Sequence, residues 1–113
     1  MFDIIIENGK IIDGTGNQWY RRDIGIKADT IEEIGVLTGV EAKRRINAQG
    51  KVVCPGFIDT HTHSDLVLLA EPSAEFKLRQ GVTTELLGQD GLSVAPLTPE
   101  TKRMFQQRLA GIL

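Results

Sequence analysis

A chain of 113 residues with 41% hydrophobic and 25% charged residues carries enough apolar material for one small domain and its core, which excludes a disordered chain and two ordinary domains. A net charge of -2, with Lys43-Arg44-Arg45 as the densest basic cluster, excludes a nucleic-acid footprint and leaves that triplet as a solvated turn or strand end. No apolar stretch approaches the length of a membrane span, and Met1-Phe2-Asp3-Ile4 lacks the charged n-region of a signal peptide, so no membrane partner is expected and cytoplasm is the expected compartment.

Phe2 to Ile6, with three β-branched isoleucines, predicts a strand. Asn8-Gly9 predicts a hairpin turn, because both residues accept positive φ, with Lys10 to Asp13 as the returning strand. Gly14 to Asn17 is the next turn, and Trp19 and Tyr20 are expected to cap a small β core. Asp23 to Lys27 alternates polar and apolar residues and pairs through Ala28-Asp29-Thr30 with Thr30 to Gly35 as a second hairpin. Gly35 to Glu41 is loop-like, Arg44 to Ala48 is a short strand, and Gln49-Gly50 turns into Lys51-Val52-Val53. Cys54 is the lone cysteine, so an internal disulfide is excluded; beside Pro55 in an apolar run it is expected in the core. Short strands with Gly and Asn punctuation argue a small all-β unit up to this point.

The pattern changes after Pro55-Gly56. Phe57 to Thr60 predicts a short strand, Ser64 to Glu71 a loop or helical turn, and Ala74 to Gln80 a helix capped by Ser73 and ended by Gly81. Val82 to Leu87 predicts a buried strand, so residues 57 to 88 read as one βαβ unit with a parallel sheet. Thr98 and Pro99 open a further helix with Phe105, Leu109 and Ile112 on its apolar face.

Reactive residues gather at the carboxyl ends of parallel strands. His61 and His63 stand at one such end and Asp90 at the next, so the three are a competent ligand set for zinc or another divalent transition metal. Two histidines at i and i+2 also occur exposed on an edge strand, and Asp-Gly is a common turn. Asp59 shares the histidines' strand face and is either a hydrogen-bond partner fixing their tautomers or a capping group at the strand end, the former being slightly favoured.

Pro55-Gly56-Phe57-Ile58-Asp59-Thr60-His61-Thr62-His63 resembles the motif that opens the barrel in metal-dependent amidohydrolases, and Asp3 to Gly16 resembles their N-terminal hairpin. Leu78 to Thr84, Gly88-Gln89-Asp90-Gly91 and Ala95-Pro96-Leu97 are most similar to the N-acyl-D-amino-acid deacylase (D-aminoacylase) branch. The resemblance implies an α/β fold, the N-terminal part of a (β/α)8 barrel preceded by strands of a small β-sandwich, with residues 1–54 in the sandwich segment and 55–113 in the first two strand-helix units. It implies His61 and His63 as metal ligands; where the branch usually carries a cysteine ligand, this chain has Asp90. A barrel of this type needs roughly 250 residues to close. The resemblance also implies a late aspartate as general base; it has no match here, so the general base is expected beyond Leu113, with no catalytic residue within the chain, and the isolated 113 residues, too few to close a barrel, are expected to be inactive and prone to self-association. The leading expectation is hydrolysis of the amide of an N-acyl-D-amino acid, a small-molecule substrate, by zinc-activated water. The alternatives are a cyclic amidase of dihydroorotase or hydantoinase type and a non-catalytic β-rich module.

Overall fold

The computed structural model describes residues 1–93 and 95–110. Their strands are β1 (Phe2–Glu7), β2 (Lys10–Ile11), β3 (Asp23–Lys27), β4 (Thr30–Gly35), β5 (Ala42–Asn47), β6 (Val52–Val53), β7 (Phe57–Asp59) and β8 (Val82–Glu85). The helices are α1 (Val67–Ala70), α2 (Glu75–Leu78) and α3 (Pro99–Leu109), with a 3-10 turn at Gln89–Gly91. The chain divides into two units, Met1–Pro55 and the residues from Gly56 onward.

The first unit is built on a four-stranded sheet of order β4-β3-β1-β5. Apolar β1 takes a central place, antiparallel to β3 and parallel to β5. Ile5 and Leu37 are fully buried, with Phe2 and Ala42 packed beside them. Gly25 lies opposite Ile5, where a Cβ would come within 2.7 Å of the Phe2 ring; the absent side chain is what admits the aromatic. The loop carrying Leu37 is held by polar contacts: its amide donates to Asp23 at 2.9 Å, and Arg45 donates to the carbonyls of Val40 and Leu37 at 2.7 and 3.2 Å.

Several details depart from the expectations. Asn8 does adopt positive φ, 65°, but β2 does not fold back on β1; it pairs in parallel with β6, and Ile11 bridges to Tyr20. The turn thus moves the chain between two sheets, because both neighbours of β1 are already taken by β3 and β5. The β3–β4 hairpin forms as expected, with Ala28 at φ 54°. Trp19 caps no core: it is half exposed, with the Lys10 ammonium 4.9 Å and the Arg21 guanidinium 5.8 Å from its ring. Cys54 is exposed rather than in the core. Two members of the basic triplet are paired across β1 and β5, Lys43 with Asp3 at 2.6 Å and Arg45 with Glu7 at 2.7 Å.

In the second unit β7 and β8 pair in parallel, with α1 and α2 between them in the chain, as the βαβ reading requires. Gly56 lets the strands close up, since a Cβ there would lie 2.7 Å or less from side-chain atoms of Thr83. Helix α2 is shorter than expected and Ser73 does not cap it; Ala74, in the left-handed region, occupies the cap position without a side-chain hydrogen bond. Gly81 ends this segment at φ 83°, as its position suggested. Strand β8 is not buried: Leu86 and Leu87 just beyond it are exposed, as are Phe57 and Ile58 on β7. Helix α3 starts as read, with Thr98 accepting from the Thr101 amide at 3.1 Å and Pro99 in the first turn. Phe105 is half-buried, whereas the Leu109 side chain and Ile112 lie outside the described residues.

Ile5→Ala is expected to lower unfolding free energy by about 2–5 kcal/mol in a urea titration, because a fully buried side chain leaves a cavity. Gly25→Ala is expected to cost about 1–3 kcal/mol through displacement of the Phe2 ring. A change within about 0.5 kcal/mol for either, the range of an ordinary surface substitution, would contradict this account of the core.

Candidate metal centre

Alternation at the end of β7 exposes His61 and His63 and buries Thr62 between them. The two imidazoles lie edge to face, with ring centroids 5.5 Å apart. Asp90 reaches them from the loop after β8. Its Oδ2 is 3.1 Å from His61 Nε2 and 3.3 Å from His63 Nε2. One donor atom from each residue lies within 4.8 Å of the others. All three side chains are open to solvent, with 61%, 46% and 64% of their surface exposed, so a ligand has access.

The Asp90 loop owes its path to backbone conformation. Gly88 and Gly91 have φ of 81° and 76°, and Asp90 itself has φ 54°. Glycine enters this left-handed region without steric cost, and aspartate tolerates it better than most residues. The Gly88 amide donates to Asp65 Oδ1 at 3.1 Å, which fastens the start of the loop to the segment following His63. Asp65 is buried, and its Oδ2 has no hydrogen-bond partner among the described residues. Gln89 Nε2 adds contacts to the carbonyls of Leu86 at 3.3 Å and Thr60 at 3.4 Å.

Beneath the histidines lies a polar cluster centred on Lys77 of α2. Its ammonium donates to Asp59 at 2.6 Å, Glu85 at 2.9 Å and Thr62 Oγ1 at 3.0 Å. Ser64 Oγ donates to Glu85 at 3.1 Å and lies 2.8 Å from Thr62 Oγ1. Asp59 also accepts from the main-chain amide of His61 at 3.2 Å. Its hydrogen bonds go to the main-chain amide that opens the histidine turn and to the Lys77 ammonium. The Lys77 hydrogen bond, followed by that from the His61 amide, holds the Asp59 carboxyl below the ordinary aspartate range. Hydrogen bonds to Asp59 and then Glu85 hold Lys77 above the ordinary lysine range, outweighing desolvation.

Of the residues singled out from sequence, His61, His63 and Asp90 meet, and Asp59 lies beside them along the backbone. Lys77, Glu85, Thr62 and Ser64 were missed. Only the placement of α2 on the strand ends reveals them, since Lys77 is 18 residues from Asp59 in sequence.

No family model matches the chain. It is 46% identical over 94 residues to N-acyl-D-glutamate deacylase of Alcaligenes xylosoxydans xylosoxydans, covering 83% of this chain and 19% of the relative. Among solved structures it matches D-aminoacylase, described as having a binuclear metal centre with one-metal activation and second-metal attenuation, at 46% identity and a TM-score of 0.81, covering 86% of this chain and 20% of that one. It also matches N-acyl-D-glutamate deacylase from Bordetella bronchiseptica, complexed with zinc and a phosphonate mimic of the tetrahedral intermediate, at 42% identity and a TM-score of 0.77, covering 85% of this chain and 21% of that one. The chain spans about a fifth of the length of these proteins.

The raised Lys77 value fixes the sign of a pH effect. Its stabilising contribution is complete below the unfolded-chain value of about 10.4 and is lost as pH rises through the higher folded value. The melting-temperature gap between wild type and Lys77→Met is therefore expected to be widest near neutrality and to narrow as pH climbs past 10.4. A gap constant across thermal melts at neutral and strongly alkaline pH would contradict the ion-pair account.

Proposed function

We propose, for a chain that belongs to the amidohydrolase family and stands with its D-aminoacylase members, that it forms the N-terminal portion of a metal-dependent deacylase. On this reading β7 and β8 are the first two strands of a (β/α)8 barrel, and residues 1–54 contribute to a β-sandwich. His61, His63 and Asp90 provide the chain's ligands to zinc or another divalent metal.

The observation carrying this reading is the convergence of Asp90 Oδ2 on both imidazole Nε2 atoms, at 3.1 and 3.3 Å. Ligands held about 2.0–2.1 Å from a tetrahedral zinc are about 3.3–3.4 Å from one another. The donor set, two imidazoles and a carboxylate, suits zinc and its neighbours. The exchange of an expected thiolate for Asp90 makes the set harder, which widens its range toward oxygen-preferring metals.

A divalent metal bound here supplies Lewis acidity that activates water and polarises the scissile amide carbonyl. The chain's own part is to orient. The β7 end presents both imidazoles in one direction, and the Asp65–Gly88 hydrogen bond holds the loop that brings Asp90 to meet them. Asp59 keeps the His61 main chain in place through its amide. The general base lies on no residue assigned in this chain.

The substrate class we propose is an N-acyl-D-amino acid, supported by deacylase relatives at 42–46% identity. The cyclic-amidase alternative has no observation favouring it over this one. No helix among the described residues is long and apolar enough to cross a membrane. A small-molecule substrate and a cytoplasmic setting complete the proposal.

In the full-length protein, His61→Ala and Asp90→Ala are each expected to weaken zinc binding by more than the roughly 10- to 100-fold typical of losing a residue that merely supports a ligand. Release of the free amino acid from N-acyl-D-amino acids is expected to fall in parallel. Unchanged zinc content in Asp90→Ala would remove Asp90 from the centre, and wild-type protein that hydrolyses hydantoins but no N-acyl-D-amino acid would reverse the substrate assignment.

A further inference from the structure

We infer that Lys77 is a positioning residue of the metal centre, holding the His61-Thr62-His63 turn so that both imidazoles meet Asp90. The inference rests on the metal-centre reading above and assigns a role to a residue on a different element.

The three protons of an ammonium group are its whole hydrogen-bonding capacity. Lys77 directs them at Asp59 on β7, Glu85 on β8 and Thr62 between the histidines. The remaining contacts have a defined direction. Glu85 as a carboxylate only accepts, so Ser64 donates to it, and the Thr62 hydroxyl in turn donates to Ser64. The result is a closed ring, Lys77 to Thr62 to Ser64 to Glu85 and back to Lys77, with Asp59 attached. Thr62 and Ser64 are both buried, so their hydroxyls have no solvent to fall back on.

Thr62 links the ring to the histidines. Its side chain points into the ring while its sequence neighbours point toward Asp90. Pinning its hydroxyl fixes the rotation of the turn and therefore where both imidazoles aim. Asp59 adds a second restraint, since the carboxylate that binds Lys77 also holds the His61 amide. Charge favours the arrangement as well: two carboxylates against one ammonium leave a net negative charge below a site proposed to bind a cation.

The test uses full-length protein, with zinc affinity measured by chelator competition and ligand geometry read from the visible spectrum of the cobalt(II)-substituted form. Lys77→Met is expected to weaken zinc binding about 10- to 100-fold and to alter the cobalt spectrum. Val82→Ala serves as the control for general destabilisation, because Val82 pairs with Phe57 at the opposite ends of the two strands. It is expected to lower the melting temperature and leave affinity and spectrum as in wild type. A folded Lys77→Met protein with wild-type affinity and spectrum would overturn the inference. Should Lys77→Met fail to fold, Thr62→Val decides: weaker zinc binding with an altered spectrum supports the inference, and wild-type values overturn it. The two readings separate through His61→Ala. If that variant loses zinc while Lys77→Met and Thr62→Val do not, only the role of Lys77 falls; if it keeps zinc, the metal centre and the role of Lys77 fall together.

Discussion

The ammonium of Lys77, shared between Asp59 and Glu85, is the interaction on which the second unit's strand ends depend. Two short parallel strands leave their carboxyl ends close together, and each ends on an acid. Without a cation between them, the acids would repel and the ends would separate. With it, repulsion becomes cross-linking, and α2 is fastened to both strands at once. Exposed salt bridges contribute little individually, but this lysine is only 18% exposed and bonds three groups. It acts as a network rather than a pair.

That constraint is complemented by a backbone one. The imidazoles come from a strand end of fixed direction, but Asp90 must arrive from a loop, and loops have freedom that strands lack. Left-handed conformations at Gly88, Asp90 and Gly91 remove much of it, and the Asp65 carboxylate secures the loop's first amide. Of the three, only Asp90 is a non-glycine residue in the left-handed region, a conformation that clusters where a side chain must be aimed. The site thus combines one arm set by β-pleat and another set by turn geometry.

What could be read from sequence divides along the same line. The parallel βαβ unit, the Thr98 cap and the meeting of His61, His63 and Asp90 followed from local patterns: alternation along a strand, turn chemistry and the rule that strand ends converge. The hairpin expected at Asn8-Gly9 did not form because pairing is decided by competition among strands, and β3 and β5 had claimed both edges of β1. Cys54 and Trp19 were misplaced for a related reason: residue type suggests burial, whereas only tertiary neighbours decide it. Lys77 was invisible because nothing about a lysine in a short helix announces two carboxylates and a hydroxyl within reach.

The carboxylate at position 90 also bears on chemical durability. A thiolate placed beside two imidazoles would be open to attack by peroxide, which carries sulfur up a series of oxidation states that ends irreversibly. The His61, His63 and Asp90 trio offers no sulfur to such an oxidant. The chain's single thiol, Cys54, belongs to the first unit and is no part of the trio. If the trio holds a metal as proposed, a carboxylate in place of a thiolate lowers the affinity for soft metals and leaves no ligand sulfur to oxidise.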